Sequence, residues 1–216
     1  MKTKTSPYER IVFCDFDGTI TANETFVGML KQFATQNYAD VESLVMQGKI
    51  SLPEGIRRLV ESIPSERLAD MQDYIRKQEI RPGFEKLLDF LDEIKVPLVV
   101  ISGGLIEQVQ TRLEPYRKRI LNMHAARLDT TSEYLRVRSD HETRNELVSK
   151  KALMDGYNYK LAAAIGDGVT DISMAARADI VFARDNLCRY LDQEKTPYRR
   201  WQTFFDIRDA LARRWN

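Results

Sequence analysis

Apolar residues along the chain fall into two kinds of run. Short unbroken runs at 11–14, 96–101, 161–165 and 180–183 are bounded by charged or turn residues, the pattern of strands buried in a parallel sheet. Longer stretches with apolar residues at helical spacing lie between them, and they predict helices over 84–94, 105–113, roughly 144–154, 171–178 and 201–213. Residues 120–137 look β-rich around the polar turn Asp129-Thr130-Thr131-Ser132. Strand–helix alternation of this kind predicts an α/β fold, a doubly wound parallel sheet with helices on both faces.

Residues 22–80 have a different texture. They predict successive helices over 24–35, 39–47, 53–62 and 66–78, with nothing resembling a strand. Ser51 with Glu54 forms a capping box for the third helix, Pro53 sits in its first turn, and Pro64-Ser65 separates it from the fourth. This divides the chain into a core of residues 1–21 and 81–216 and an inserted helical block, 22–80, placed to cover whatever the core's first loop does.

That first loop is Asp15-Phe16-Asp17-Gly18-Thr19, directly after the first strand. Alternation along an extended backbone sends both carboxylates toward one side, and Gly18 allows a sharp turn. Asp-Gly turns are common, but two carboxylates held together repel, and a divalent cation offsets that cost. The strand at 96–101 runs into Ser102-Gly103-Gly104 before a helix, a hydroxyl and backbone N–H groups suited to phosphate. The strand at 161–165 runs into Gly166-Asp167-Gly168-Val169-Thr170-Asp171, where a helix N-terminus explains Asp171 but gives Asp167 no role. Lys150-Lys151 precedes Leu153-Met154, and most such pairs are solvated surface.

The chain has 216 residues, 43% hydrophobic and 30% charged, enough for one good core or a core with a smaller insertion. A net charge of +1 gives no electrostatic footprint for nucleic acid, and the runs Arg117-Lys118-Arg119 and Arg213-Arg214 read as solvated faces. No run of 18 apolar residues occurs, so no membrane partner is expected, and the polar stretch 1–10 lacks a signal-like apolar segment. Two cysteines, Cys14 and Cys188, suggest no disulfide framework, and a cytoplasmic location is expected. Two histidines, His124 and His141, are too few for a histidine-rich zinc site, so any metal should be oxygen-ligated.

Taken in order, Asp-x-Asp-Gly-Thr, Ser-Gly-Gly, Lys and Gly-Asp-Gly-x-x-x-Asp resemble the motifs of the haloacid dehalogenase superfamily of phosphohydrolases over nearly the whole chain. The block after the first motif resembles the cap of its phosphoserine-phosphatase-like branch. The resemblance implies a Rossmann-like core with an inserted cap. It also implies Asp15 as the nucleophile that takes the phosphoryl group and Asp17 as general acid and base. Mg²⁺ is implied on the Asp15 and Asp167 carboxylates and the Asp17 carbonyl, with Asp171 orienting that shell. Ser102, Gly103, Thr19 and a lysine would hold phosphoryl oxygens. Family spacing favours Lys150 for that lysine and leaves Lys151 open.

Glu24 and Arg57 are similar to cap residues that hold the ammonium and carboxylate of phosphoserine. By contrast, Asn122-Met123-His124-Ala125, Val181-Phe182-Ala183-Arg184-Asp185, Tyr198 and Phe205-Asp206-Ile207 look closer to the methionine-salvage branch, where an equivalent of Arg57 is not expected. The implied activity is Mg²⁺-dependent hydrolysis of a small phosphate ester, the salvage enol phosphate first and phosphoserine as the alternative. A phosphotransferase with a small alcohol acceptor is the reading from another class. A monomer or homodimer is expected.

Overall fold

The structure is a computed structural model that describes residues 7–215. The outermost residues of the expected core and most of the polar stretch 1–10 lie outside the described residues. Among the described residues seven strands form one sheet: β1 (Tyr8–Cys14), β2 (Leu98–Leu105), β3 (Asn122–Asp129), β4 (Arg136–Arg138), β5 (Tyr159–Gly166), β6 (Ile180–Ala183) and β7 (Arg199–Arg200). Their spatial order is β4-β3-β2-β1-β5-β6-β7. Every pairing is parallel except β3 with β4. The order reverses at β1, and in sheets of this kind ligands bind beyond the strand ends at that point.

Strand β1 sits between β2 and β5, hydrogen-bonded on both edges. Its alternation feeds two cores. Ile11 and Phe13 join one hydrophobic cluster and Val12 and Cys14 the other. The helices are α1 (Thr25–Phe33), α2 (Tyr38–Met46), α3 (Leu52–Val60), α4 (Leu68–Arg76), α5 (Phe84–Glu93), α6 (Ile106–Leu113), α7 (Lys150–Asp155), α8 (Ile172–Ala175), α9 (Asp185–Gln193) and α10 (Phe204–Trp215). Residues of α5, α6 and α10 pack with Val12 and Cys14, while α7 and α8 pack with Ile11 and Phe13. That second cluster continues without a break into Phe26, Leu30, Val41 and Leu59 of α1 to α3. The helical block therefore shares its core with one face of the sheet.

The two crossings between sheet and block lie side by side. Thr21 bridges Ile80 antiparallel, the Ala22 N–H donates to the Glu79 carbonyl and the Arg81 N–H to the Ile20 carbonyl. The Arg81 side chain closes this junction: Nε donates to the Thr19 carbonyl, and Nη2 to the carbonyls of Gly18, Thr21 and Ala22.

Several elements differ from expectation. The helix expected from 144 begins at Lys150, because Thr143 Oγ1 accepts the N–H groups of Asn145 and Glu146 and holds a turn instead. Strand β2 continues through Ser102, Gly103 and Gly104 to Leu105, with its register against β3 shifting between Ile101 and Leu105. The helix expected at 171–178 is a 3₁₀ turn, Val169–Asp171, followed by four-residue α8. The last helix starts at Phe204, because the Asp206 carboxylate takes the N–H groups of Gln202 and Thr203. Helix α9 and strand β7 were not expected; α9 is strongly polar on its outer face and β7 is two arginines at the sheet edge.

Phe13 lies fully buried under the first acidic loop, with Tyr157 and Tyr159 edge-on, both with ring centroids 5.5 Å away. Phe13→Ala is expected to cost about 3–5 kcal/mol of stability in urea unfolding. A loss below about 1 kcal/mol would contradict this packing.

Candidate active site

The ends of β1 and β5 bring Asp15, Asp167 and Asp171 together, each offering an oxygen within 4.8 Å of the others'. All three are buried, with Asp171 completely so. Lys150 is buried to 0% exposure and its Nζ donates to Asp15 Oδ1 and, at 2.5 Å, to Asp171 Oδ1. One ammonium thus stands among three carboxylates. Burial, then Asp171 and Asp167 against the opposing Lys150, pushes Asp15 well above the usual carboxylate range. Burial and the Asp171 charge push Asp167 up to about 7. Burial alone would discharge Lys150, but Asp15 and Asp171 outweigh it and raise its pKa above an ordinary lysine's.

Glycine permits this crowding. Gly18 has φ 74°, and a Cβ there would come within 2.6 Å of Asp167 Oδ2. A Cβ on Gly166 would fall 2.5 Å from the Asp171 carboxylate. Asp171 Oδ2 accepts the N–H groups of Asp167 (2.9 Å) and Gly168 (3.0 Å), which shapes the second acidic loop from within.

Asp17 performs a task that the sequence does not reveal. Helix α1 has no side-chain cap from its own N-cap residue, Glu24. Asp17 Oδ1 supplies one across the junction, accepting the N–H groups of Thr25 (2.6 Å) and Phe26 (3.0 Å). Burial and the neighbouring Glu24 raise the Asp17 pKa well above the ordinary value, which favours a protonated carboxyl.

Above these loops lies a cavity of about 310 Å³. Asp15, Asp17, Asp167 and Gly103 line its catalytic end, and Phe26, Leu30, Val41, Val45, Ile56 and Leu59 supply much of its wall. Glu24, Glu42 and Glu146 also reach it, but among the described residues no lysine, arginine or histidine lines it.

The structure thus brings Asp15, Asp17, Asp167, Asp171, Gly103, Glu24 and Lys150 to one place, and it separates others from it. Lys151 is a surface residue paired with Asp155. Thr19, expected on phosphate, is fully buried and donates to Asp167 Oδ1 at 2.5 Å, so it steadies a carboxylate instead. Arg57, expected on a substrate carboxylate, lies outside the cavity lining and makes a two-point pair with Glu142. Ser102 is buried, with its hydroxyl accepting the Gly104 N–H at 3.0 Å. Asp171, expected to orient a metal shell, itself offers an oxygen to the cluster. Gly104, part of the expected Ser-Gly-Gly stretch, also lines the cavity, while Thr170 and the apolar wall were missed; the spacing of Phe26 and Leu30 on α1 was the available signal for that wall.

A family model described as haloacid dehalogenase-like hydrolase matches residues 9–179. A 2-hydroxy-3-keto-5-methylthiopentenyl-1-phosphate phosphatase from Microcystis aeruginosa is 47% identical, over 95% of this chain and 99% of its own. One of the same name from Geobacillus kaustophilus is 31% identical, over 94% of this chain and 96% of its own. Among solved structures, a substrate-bound phosphoserine phosphatase superposes with a TM-score of 0.68 at 21% identity, covering 94% of this chain and 98% of its own. A phosphoserine phosphohydrolase-like protein from Francisella tularensis gives 0.72 at 18% identity, covering 94% and 99%. The likeness to these structures is one of fold.

Lys150→Ala should leave Asp15 and Asp171 facing each other unpaired, costing about 3–5 kcal/mol in metal-free chemical denaturation. Lys151→Ala should stay within about 0.5 kcal/mol of the parent. Equal effects in the two variants would contradict the assignment of the buried lysine.

Proposed function

The chain belongs to the haloacid dehalogenase-like hydrolases, and from that premise we propose that it hydrolyses a small phosphomonoester, the 2-hydroxy-3-keto-5-methylthiopentenyl-1-phosphate named for its relatives. The observation that carries the choice of ester is the cavity wall, largely apolar, with carboxylates but no cation among the described lining residues. Phosphoserine presents a carboxylate that such a wall leaves unpaired, and Arg57 is already held by Glu142. The enol phosphate presents a methylthio tail, which gains about 0.8 kcal/mol for each buried CH₂. Glu24 stands at the cavity as an acceptor for its hydroxyl.

In this reading the Asp15 carboxylate attacks phosphorus and the ester P–O bond breaks. Asp17, whose carboxyl is pushed toward the protonated form by burial and Glu24, delivers its proton to the departing oxygen. Asp17 then takes a proton from water as that water attacks the aspartyl phosphate, freeing phosphate and restoring Asp15. Lys150 keeps Asp15 aimed through the bond it makes to Oδ1, and Gly103, whose backbone carries an N–H donor, lines the cavity.

The donor set fits Mg²⁺. Asp15, Asp167 and Asp171 are all hard oxygen ligands in reach of one another, and their charge exceeds what one lysine balances. Asp15 and Asp167 carboxylates and the Asp17 carbonyl are the proposed ligands, with Asp171 at their side. A bound cation would keep the carboxylates ionised and screen the charge of the phosphoryl group. The division into a core of 1–21 and 81–216 and a cap of 22–80 is part of the same proposal, supported by the paired crossings at Thr21 and Ile80.

A phosphate-release screen over small phosphomonoesters should give the enol phosphate a kcat/KM about 100-fold above phosphoserine, the equivalent of about 2.7 kcal/mol. A preference for phosphoserine would overturn the choice of substrate. EDTA should remove the activity and excess Mg²⁺ restore it. Asp15→Asn should abolish turnover of every ester, and retention of full activity by that variant would remove the mechanism.

A further inference from the structure

A second concavity lies behind the junction, where Arg81 and Pro82 meet the ends of β6 and β7 and the start of α9. It is a cleft of about 480 Å³ that shares no lining residue with the apolar cavity. Its charge is lopsided: Arg81, Arg184 and Arg200 line it against one carboxylate, Asp185.

Arg81 is the buried cation of the three, 8% exposed, and among the described residues it has no carboxylate partner. Its bonds to the Gly18, Thr19, Thr21 and Ala22 carbonyls satisfy Nε and Nη2 without neutralising the charge. Arg184 pairs with Asp185, and Arg200 stands 3.8 Å from Asp192 in an exposed pair. Arg81 and Arg184 both lie over the Trp201 ring, 5.5 and 5.2 Å from its centroid, so two like charges share one indole. The Trp201 indole N–H is buried and has no hydrogen-bond partner among the described residues. Asp185 holds φ at 45°, a costly backbone state for a non-glycine residue, at the first position of nine-residue α9.

Arg184 also donates to the Gln202 carbonyl at 3.3 Å, and arginines lining one cleft beside the start of a helix are the chemistry that recognises a compact dianion. We propose that this cleft is a second anion site, separate from the catalytic cavity, that binds a phosphate group carried by inorganic phosphate or by a small phosphorylated metabolite. Its position ties it to both acidic loops. Arg81 reaches the carbonyls of the first, and the Leu187 N–H of α9 donates to the Asp167 carbonyl of the second at 2.8 Å. Occupancy would offset the repulsion between Arg81 and Arg184 and stiffen the junction between sheet and helical block.

The test is a ¹H–¹⁵N titration of the full chain, following the indole signals of its two tryptophans, Trp201 and Trp215. Inorganic phosphate and a small phosphonate monoester are added separately, with ionic strength held constant by chloride. The Trp201 signal is expected to move to saturation and the Trp215 signal to stay. Whichever anion saturates at the lower concentration identifies the source of the phosphate group. The double variant R184Q/R200Q should lose the response while keeping kcat within about twofold of the parent. Arg200→Gln alone, at an exposed edge position, should weaken binding about threefold and guards against misfolding of the double variant. A Trp201 signal that neither anion moves, or that moves equally in the substituted chains, overturns the proposal.

Discussion

The structure depends on a charge imbalance held inside protein. Three buried carboxylates converge and a single buried ammonium answers them. At an effective dielectric of about 20, two unit charges about 4 Å apart interact by roughly 4 kcal/mol, so neither the lysine nor any one aspartate can move without cost. Lys150 is also the first residue of α7, where the helix dipole disfavours a cation. Its bonds to Asp15 and Asp171 offset that penalty. The remaining imbalance is what makes the cluster receptive to a divalent cation and, through it, to a phosphate group.

Around this cluster the fold is arranged so that each acidic loop is braced by a part of the chain distant in sequence. Thr19 steadies Asp167, Asp171 steadies the backbone of its own loop, and Arg81 gathers the carbonyls of the first loop as the chain returns from the helical block. Asp17 fastens the start of α1 to the same place. The group proposed to move the proton is therefore the group that anchors the first helix of the block, so protonation and seating of the block over the site are mechanically joined. The apolar wall follows from that seating, because the core of the block is continuous with one face of the sheet.

Much of this was legible in the sequence where chemistry and strand pattern coincide. Unbroken apolar runs marked β1, β5 and β6, and the acidic turns that follow β1 and β5 placed Asp15, Asp17, Asp167 and Asp171. What escaped was set by contacts distant in sequence. Family spacing favoured Lys150 over Lys151, but the residues alone did not separate the two, and only the burial of Lys150 between Asp15 and Asp171 does. Thr19 read as a phosphate donor because nothing local discloses that Asp167 stands behind it. Arg57 read as a substrate ligand because its partner, Glu142, lies 85 residues away. Ser102 to Gly104 read as a loop since two glycines rarely continue a strand, yet parallel pairing with β3 resumes at Leu105. Arg81 read only as a boundary beside Pro82.

In the proposed mechanism Asp15, aimed by Lys150, donates the oxygen that bonds to phosphorus. The most direct measurement is to quench the enzyme during turnover, reduce the trapped acyl phosphate with borohydride and map the modified residue by peptide mass spectrometry. Modification is expected at Asp15 alone, in the peptide that carries Asp15-Phe16-Asp17-Gly18. Modification at another residue, or steady turnover with Asp15 never modified, would contradict it.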